Sequence, residues 1–144
     1  MATAESLTGG MLGAAITGIS GSSSVYWGGI VSYSVDAKVR VLGVDSSLVE
    51  NKGVVSRETA EAMASGCLAL SGADIAIAVT GIAGPDGGTE AVPVGTVWIA
   101  SARMVDGVPD IRSLVGRFRG NRRKIRKETV AAAFRLALTH LDRP

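Results

Sequence analysis

Cysteine and histidine occur only once each in the 144 residues, as Cys67 and His140. A single cysteine excludes an intrachain disulfide framework and any cysteine-rich metal site. Cys67 sits among Ala and Leu in a helical pattern and reads as a small buried apolar residue. His140 stands near the end of the last predicted helix, where a lone histidine reads as a surface or capping residue. That argues against a Ser-His-Asp triad or a Cys-His pair. No group of carboxylates has metal-ligand spacing. No apolar run reaches the length of a membrane span, although mean hydropathy is positive at +0.31. Met1–Glu5 has neither the basic start nor the apolar stretch of a signal peptide, so a cytoplasmic protein is the default expectation.

What is present reads as one domain, 1–144, long enough to bury a core without staples. Thr8–Ile19 is a small-residue helix pattern, and Gly21–Ser24 a polar loop. Gly29–Ser34 is rich in β-formers and predicts a strand. Asp36 can open a short helix ending near Gly43, with Val39, Leu42 and Val41 inward. Ser56 or Thr59 can cap a helix that runs to about Ser71, before Gly72. Ile75–Val79 and Val94–Ala102 predict further strands. Asp106-Gly107 reads as a turn into a fifth strand, Ile111–Phe118, antiparallel to the fourth. From Asn121, a plausible cap, an apolar stripe including Ile125, Ala133, Leu136 and Ala137 predicts a helix to Leu141. Strands alternating with helices, plus one hairpin, predict a layered α/β domain with a mixed sheet.

Charge is uneven. Residues 117–127 hold seven bases and no acid within a net charge of +2. Such a run attracts phosphate groups or is a solvated helix face. Aromatics make up only 4% of the chain and Phe118 alone interleaves here. Nucleic-acid binders pair bases with aromatics for stacking, so a small phosphate ligand fits better.

Four segments carry possible chemistry. Thr80–Thr89 follows an apolar strand and contains four glycines. It can cradle a phosphate or nucleotide, or be only a turn. Ala4–Gly10 joins a strand end to a helix start, where Ser6, Thr8 and Gly9 face the ligand edge of an open sheet, or merely cap the helix. Gly21–Ser24 offers Ser23, or is an ordinary polar turn. In Ser32–Lys38, Tyr33 ends a strand and Lys38 lies in the following helical turn. A lysine becomes a base only when burial or nearby cations depress its pKa; on an amphipathic helix it can equally face solvent.

Ala2–Gly10, Gly21-Ser-Ser23, Tyr33-Ser34 with Ala37-Lys38, Val79–Pro85 and Pro93–Trp98 follow one another in the order and spacing of the CinA C-terminal domain. The chain resembles that family, nicotinamide-mononucleotide amidohydrolases (deamidases), over nearly its whole length. The resemblance implies a three-layer α/β/α domain with a mixed, mainly parallel five-stranded sheet. It implies hydrolysis of nicotinamide mononucleotide to nicotinate mononucleotide and ammonia, a step of pyridine nucleotide salvage. It also implies no metal or other cofactor, and a homodimer. Carried over by motif, Ser23 and Lys38 are nucleophile and base with Tyr33 beside them, and Ser6 is the rival nucleophile. Thr80, Gly81 and Gly84 would line the nucleotide pocket, with Thr8 and Gly9 also near substrate, and Arg122 would hold the phosphate.

The chain departs from the family pattern in places. Measured against that pattern, the chain is expected to lack the family's helix and part of the first strand ahead of the first motif, and the larger domain often fused there. The expectation is marginal stability or self-association. Val92 replaces a frequent Lys, and Gly120-Asn-Arg122 stands for Gly-Asp-Arg. The competing reading is a noncatalytic nucleotide- or nucleic-acid-binding module.

Overall fold

Five strands form one sheet in the order β2-β1-β3-β4-β5 in a computed structural model, which describes residues 1–142. They are β1 (Ala2–Glu5), β2 (Gly28–Val31), β3 (Ile75–Gly81), β4 (Thr96–Val105) and β5 (Val108–Arg117). β1 pairs parallel with both β2 and β3. β4 pairs antiparallel with β3 and with β5. Four of the five strands therefore share one direction, the mixed and mainly parallel sheet expected. Both hairpin strands run longer than the sequence pattern suggested, reaching a tight turn at Asp106-Gly107.

Alternation along the strands sorts side chains by size. Ala2, Ala4, Ala76, Ala78, Ala100 and Ala102 pack on one face, against α4 (Arg57–Ser71) and the short helices α2 (Val35–Leu42) and α3 (Ser46–Lys52). Ile75, Ile77, Val79, Val97 and Ile99 fill the other face, against α1 (Met11–Thr17) and α5 (Arg122–Leu141). The run of alanines at the centre of this face lets a helix backbone come close, while Ile30, Trp98 and Ile111 pack around it. Gly66 extends this closeness, since a Cβ there would collide with the Leu42 carbonyl of α2. Cys67 is buried in this layer, as the pattern suggested.

Caps define the helix starts. Ser34, Asp45, Ser56 and Asn121 each accept a backbone N–H in the first turn of α2, α3, α4 and α5. α3 has no apolar stripe long enough to see in the sequence. α1 starts at Met11 rather than Thr8, because Thr8–Gly10 is drawn into turns with Gly9 and Gly10 at positive φ. Val41 faces solvent rather than the core. His140 is also corrected: it is fully buried, not a surface cap. The last turn of α5 lies over the hairpin, where His140 Nδ1 meets Ser101 Oγ at 2.6 Å and Nε2 meets Asp110 Oδ2 at 3.0 Å.

Candidate active site

β1 carries its neighbours on opposite sides, and the connections leaving it and returning to it use opposite faces of the sheet. Such a switch point leaves a crevice at the carboxyl ends of the strands. Ser6 follows β1, Ser32 and Tyr33 follow β2, and Thr80-Gly81 end β3. The crevice is a cavity of about 310 Å³ lined by Ser6, Leu7, Tyr33, Val54, Thr80, Gly81, Ala83 and Arg122. A larger depression of about 660 Å³ runs along β5, away from these strand ends.

Lys38 approaches the floor of this cavity from α2. Its side chain is fully buried, and Nζ lies 3.0 Å from Ser6 Oγ, 2.6 Å from Ser32 O and 3.3 Å from Tyr33 O. Burial pushes its pKa down to about 8. No carboxylate is among these three contacts to stabilise the ammonium. A neutral amine has two N–H donors and one lone pair. Two carbonyls and one hydroxyl match that inventory, with Ser6 donating its O–H to the lone pair. They equally match the three N–H donors of the ammonium, with Ser6 Oγ accepting. Pattern alone allowed Lys38 a solvent-facing place; the structure excludes it.

Ser6 is held tightly. The Glu5 carboxyl group, itself buried, accepts N–H bonds from Gly10, Leu12 and Gly13 at 3.2, 2.9 and 3.1 Å. The N-terminus of α1 is thus occupied by a side chain of the protein rather than open to a ligand anion. Ser32 donates its hydroxyl to the Glu5 carbonyl at 3.2 Å while its own carbonyl accepts from Lys38. Ser32 thereby ties β1 to the lysine. The sequence offered Ser32 only as part of a motif; its role depends on the parallel pairing of β1 with β2.

Ser23 does not meet Lys38 within the chain. It is exposed in a short 3-10 turn between α1 and β2. That turn neighbours the start of β1: the Met1 amino group donates to Val25 O, and Trp27 N–H donates to Met1 O. It lies at the opposite end of the sheet from Ser6. Within one chain, Lys38 therefore meets Ser6 and not Ser23.

The other expected residues divide. Thr80 and Gly81 line the cavity, and the Thr80 hydroxyl donates to Val54 O at 3.0 Å. The Tyr33 ring is exposed at the cavity rim, while its carbonyl faces Lys38. Arg122 lines the cavity and donates from Nη1 to Gly84 O at 2.9 Å, so Gly84 acts through its carbonyl. Thr8 is buried and, like Gly9, is absent from the wall. Among the described residues no group of three or more His, Cys, Asp or Glu side chains could hold a metal ion. None of the described helices is long and apolar enough to cross a membrane.

His140, Ser101 and Asp110 form a Ser-His-Asp chain by contact, but Ser101 is fully buried with no access to a substrate. The trio locks α5 to the hairpin.

Residues 1–141 match the family described as the CinA C-terminal domain. A CinA-like protein of Mycobacterium marinum is 50% identical over 136 residues, covering 94% of this chain and 31% of the relative. A CinA-like protein of Chlorobaculum tepidum is 45% identical, covering 98% of this chain and 34% of the relative. The chain spans about a third of the length of these curated relatives. The crystal structure of a competence/damage inducible protein from Agrobacterium tumefaciens superposes with a TM-score of 0.91 at 42% identity, covering 96% of this chain and 82% of that one. A CinA superfamily protein from Escherichia coli superposes with a TM-score of 0.87 at 34% identity, covering 95% and 77%.

Proposed function

The chain belongs to the CinA C-terminal domain family, and from that premise we propose that it is an amidohydrolase converting nicotinamide mononucleotide to nicotinate mononucleotide and ammonia. The observation that carries this reading is the buried Lys38–Ser6 contact at 3.0 Å, with two carbonyls on the remaining sides of the amine. Neutral Lys38 takes the Ser6 proton as Oγ attacks the carboxamide carbon. Collapse of the tetrahedral adduct breaks the C–N bond, and the Lys38 ammonium returns the proton to the departing ammonia. Lys38 then draws a proton from water as that water attacks the Ser6 ester. The bond from the acyl carbon to Oγ breaks, and the Lys38 ammonium returns that proton to Ser6 Oγ. The nicotinic acid formed leaves as its carboxylate, its proton passing to solvent. Arg122 orients the mononucleotide by its phosphate, and the Tyr33 ring offers its face to the pyridine.

The test is ammonia release from nicotinamide mononucleotide with one equivalent of nicotinate mononucleotide formed. A folded protein that binds the mononucleotide and releases no ammonia would refute the reading.

One observation favours a second reading, a nucleic-acid-binding module. Arg117, Arg119, Arg123, Lys124 and Lys127 are all exposed, and the last three line a depression separate from the cavity. Single-stranded DNA binding that weakens steeply between low and moderate salt, without turnover, would decide for it.

A further inference from the structure

Arg126 stands one turn beyond Arg122 on α5. Its guanidinium is engaged elsewhere. Nε donates to Leu7 O at 2.9 Å and Nη2 to Thr8 O at 3.1 Å. These two carbonyls belong to consecutive residues directly after Ser6, and 119 and 118 positions of chain separate them from Arg126. The contact is therefore a tertiary tie from the last helix to the loop that bears Ser6. The same loop curls back on itself, with Gly9 N–H donating to Ser6 O at 3.1 Å and Gly9 at φ +55°.

The loop is gripped from two sides. Glu5 takes the N–H groups of Gly10, Leu12 and Gly13. Arg126 takes the carbonyls of Leu7 and Thr8. Ser6 sits between the two grips, and α5 is itself set against the sheet by buried Ile125 and Thr129 on either side of Arg126. We propose that Arg126 is a positioning residue of the amidase site, holding the Leu7 and Thr8 carbonyls so that Ser6 Oγ stays against Lys38 Nζ, and that it is not a ligand of the substrate anion. The proposal rests on the amidase reading for its kinetic readout. A planar fork can span two neighbouring carbonyls, while a lysine presents a single nitrogen. A displacement of about 1 Å at a reacting atom can cost on the order of 100-fold in rate.

The experiment compares the parent protein with Arg126→Ala and Arg126→Lys. The expected result for Arg126→Ala is a fall in kcat of roughly 10- to 100-fold with KM for nicotinamide mononucleotide within about threefold. Added guanidinium ion should recover a substantial part of that loss. Arg126→Lys should recover less than half of it. Acylation of Lys38 by a small reagent, read by mass spectrometry, should quicken in Arg126→Ala as the loop loosens. A raised KM with unchanged kcat would make Arg126 an anion ligand and overturn the proposal. So would unchanged kinetics, or a loss that guanidinium does not restore in a variant that melts like the parent. If Arg126→Ala does not fold, Arg126→Lys decides on the same kcat-against-KM criterion. If the parent shows no turnover, the amidase reading fails. Lys38 acylation then decides the loop tie alone: a quickened rate supports it and an unchanged rate overturns it.

Discussion

Lys38 Nζ and Ser6 Oγ lie 3.0 Å apart, and both side chains are withdrawn from water at the end of the central strand β1. Burial favours the uncharged amine and brings its pKa from 10.5 to about 8. In the proposed mechanism the neutral form is the base, and its population grows as pH rises through that value. The expected kcat/KM for nicotinamide mononucleotide therefore climbs about tenfold per pH unit below roughly 8 and levels above it. Rates measured from pH 6 to 10 check this. A profile flat across pH 7 to 9 would remove Lys38 as the base.

The two serines can be separated directly. Ser6→Ala should lower turnover by several orders of magnitude while leaving mononucleotide affinity within a few-fold, since a nucleophile acts in the transition state. Ser23→Ala should leave kcat within about twofold, because its exposed turn lies at the other end of the sheet. Steady-state kinetics with a parallel binding titration measure both. The reverse pattern would restore Ser23 as nucleophile and require a partner subunit to deliver it.

Much of the fold was legible because local signals agreed. Ser56 and Asn121 cap α4 and α5 where the sequence placed them, and the hairpin turn falls at Asp106-Gly107. The separation of Ser23 from Lys38 within one chain was also within reach. In a strand-helix-strand unit, the loop after the helix returns to the opposite sheet end from the loop after the first strand. That rule puts Ser23 away from Lys38. Two burials were not legible. Lys38 disappears because β1 and β2 end beside α2, and His140 because the last turn of α5 lies over β4 and β5. Both depend on where elements dock, which periodicity within one element cannot show.

His140 supplies a prediction about stability. Burial lowers its pKa below the ordinary 6.5, with Arg112 and Arg103 adding to the effect and the Asp110 hydrogen bond opposing it. Burial prevails because the imidazole has no contact with water. With its folded pKa below its unfolded one, the native state binds fewer protons in the interval between them. Stability should therefore fall as pH drops below about 6.5, before the carboxyl groups begin to titrate. Urea midpoints from pH 7.5 to 5 measure this. His140→Gln should be less sensitive to pH than the parent over that window, and an equal slope in both would assign the effect to another group.

Arg122 stands at the first residue of α5, beside an N-terminus capped by Asn121, and lines the cavity. Backbone N–H groups and the helix dipole add to its attraction for an anion there. Arg122→Ala should weaken mononucleotide binding by roughly 1.5–3 kcal/mol, the range for a hydrogen bond to a charged group. The substitution also removes the bond from Nη1 to Gly84 O, which loosens the glycine loop for any ligand. Comparison with the dephosphorylated riboside separates the two effects. The riboside has no phosphate to lose, so its affinity falls only by the loop's share, and the difference between the two losses is the phosphate contact. Titration of both ligands into parent and variant gives that difference. Equal losses would leave Arg122 as a brace for the glycine loop and return the phosphate to the exposed bases beside it, Arg119 and Arg123.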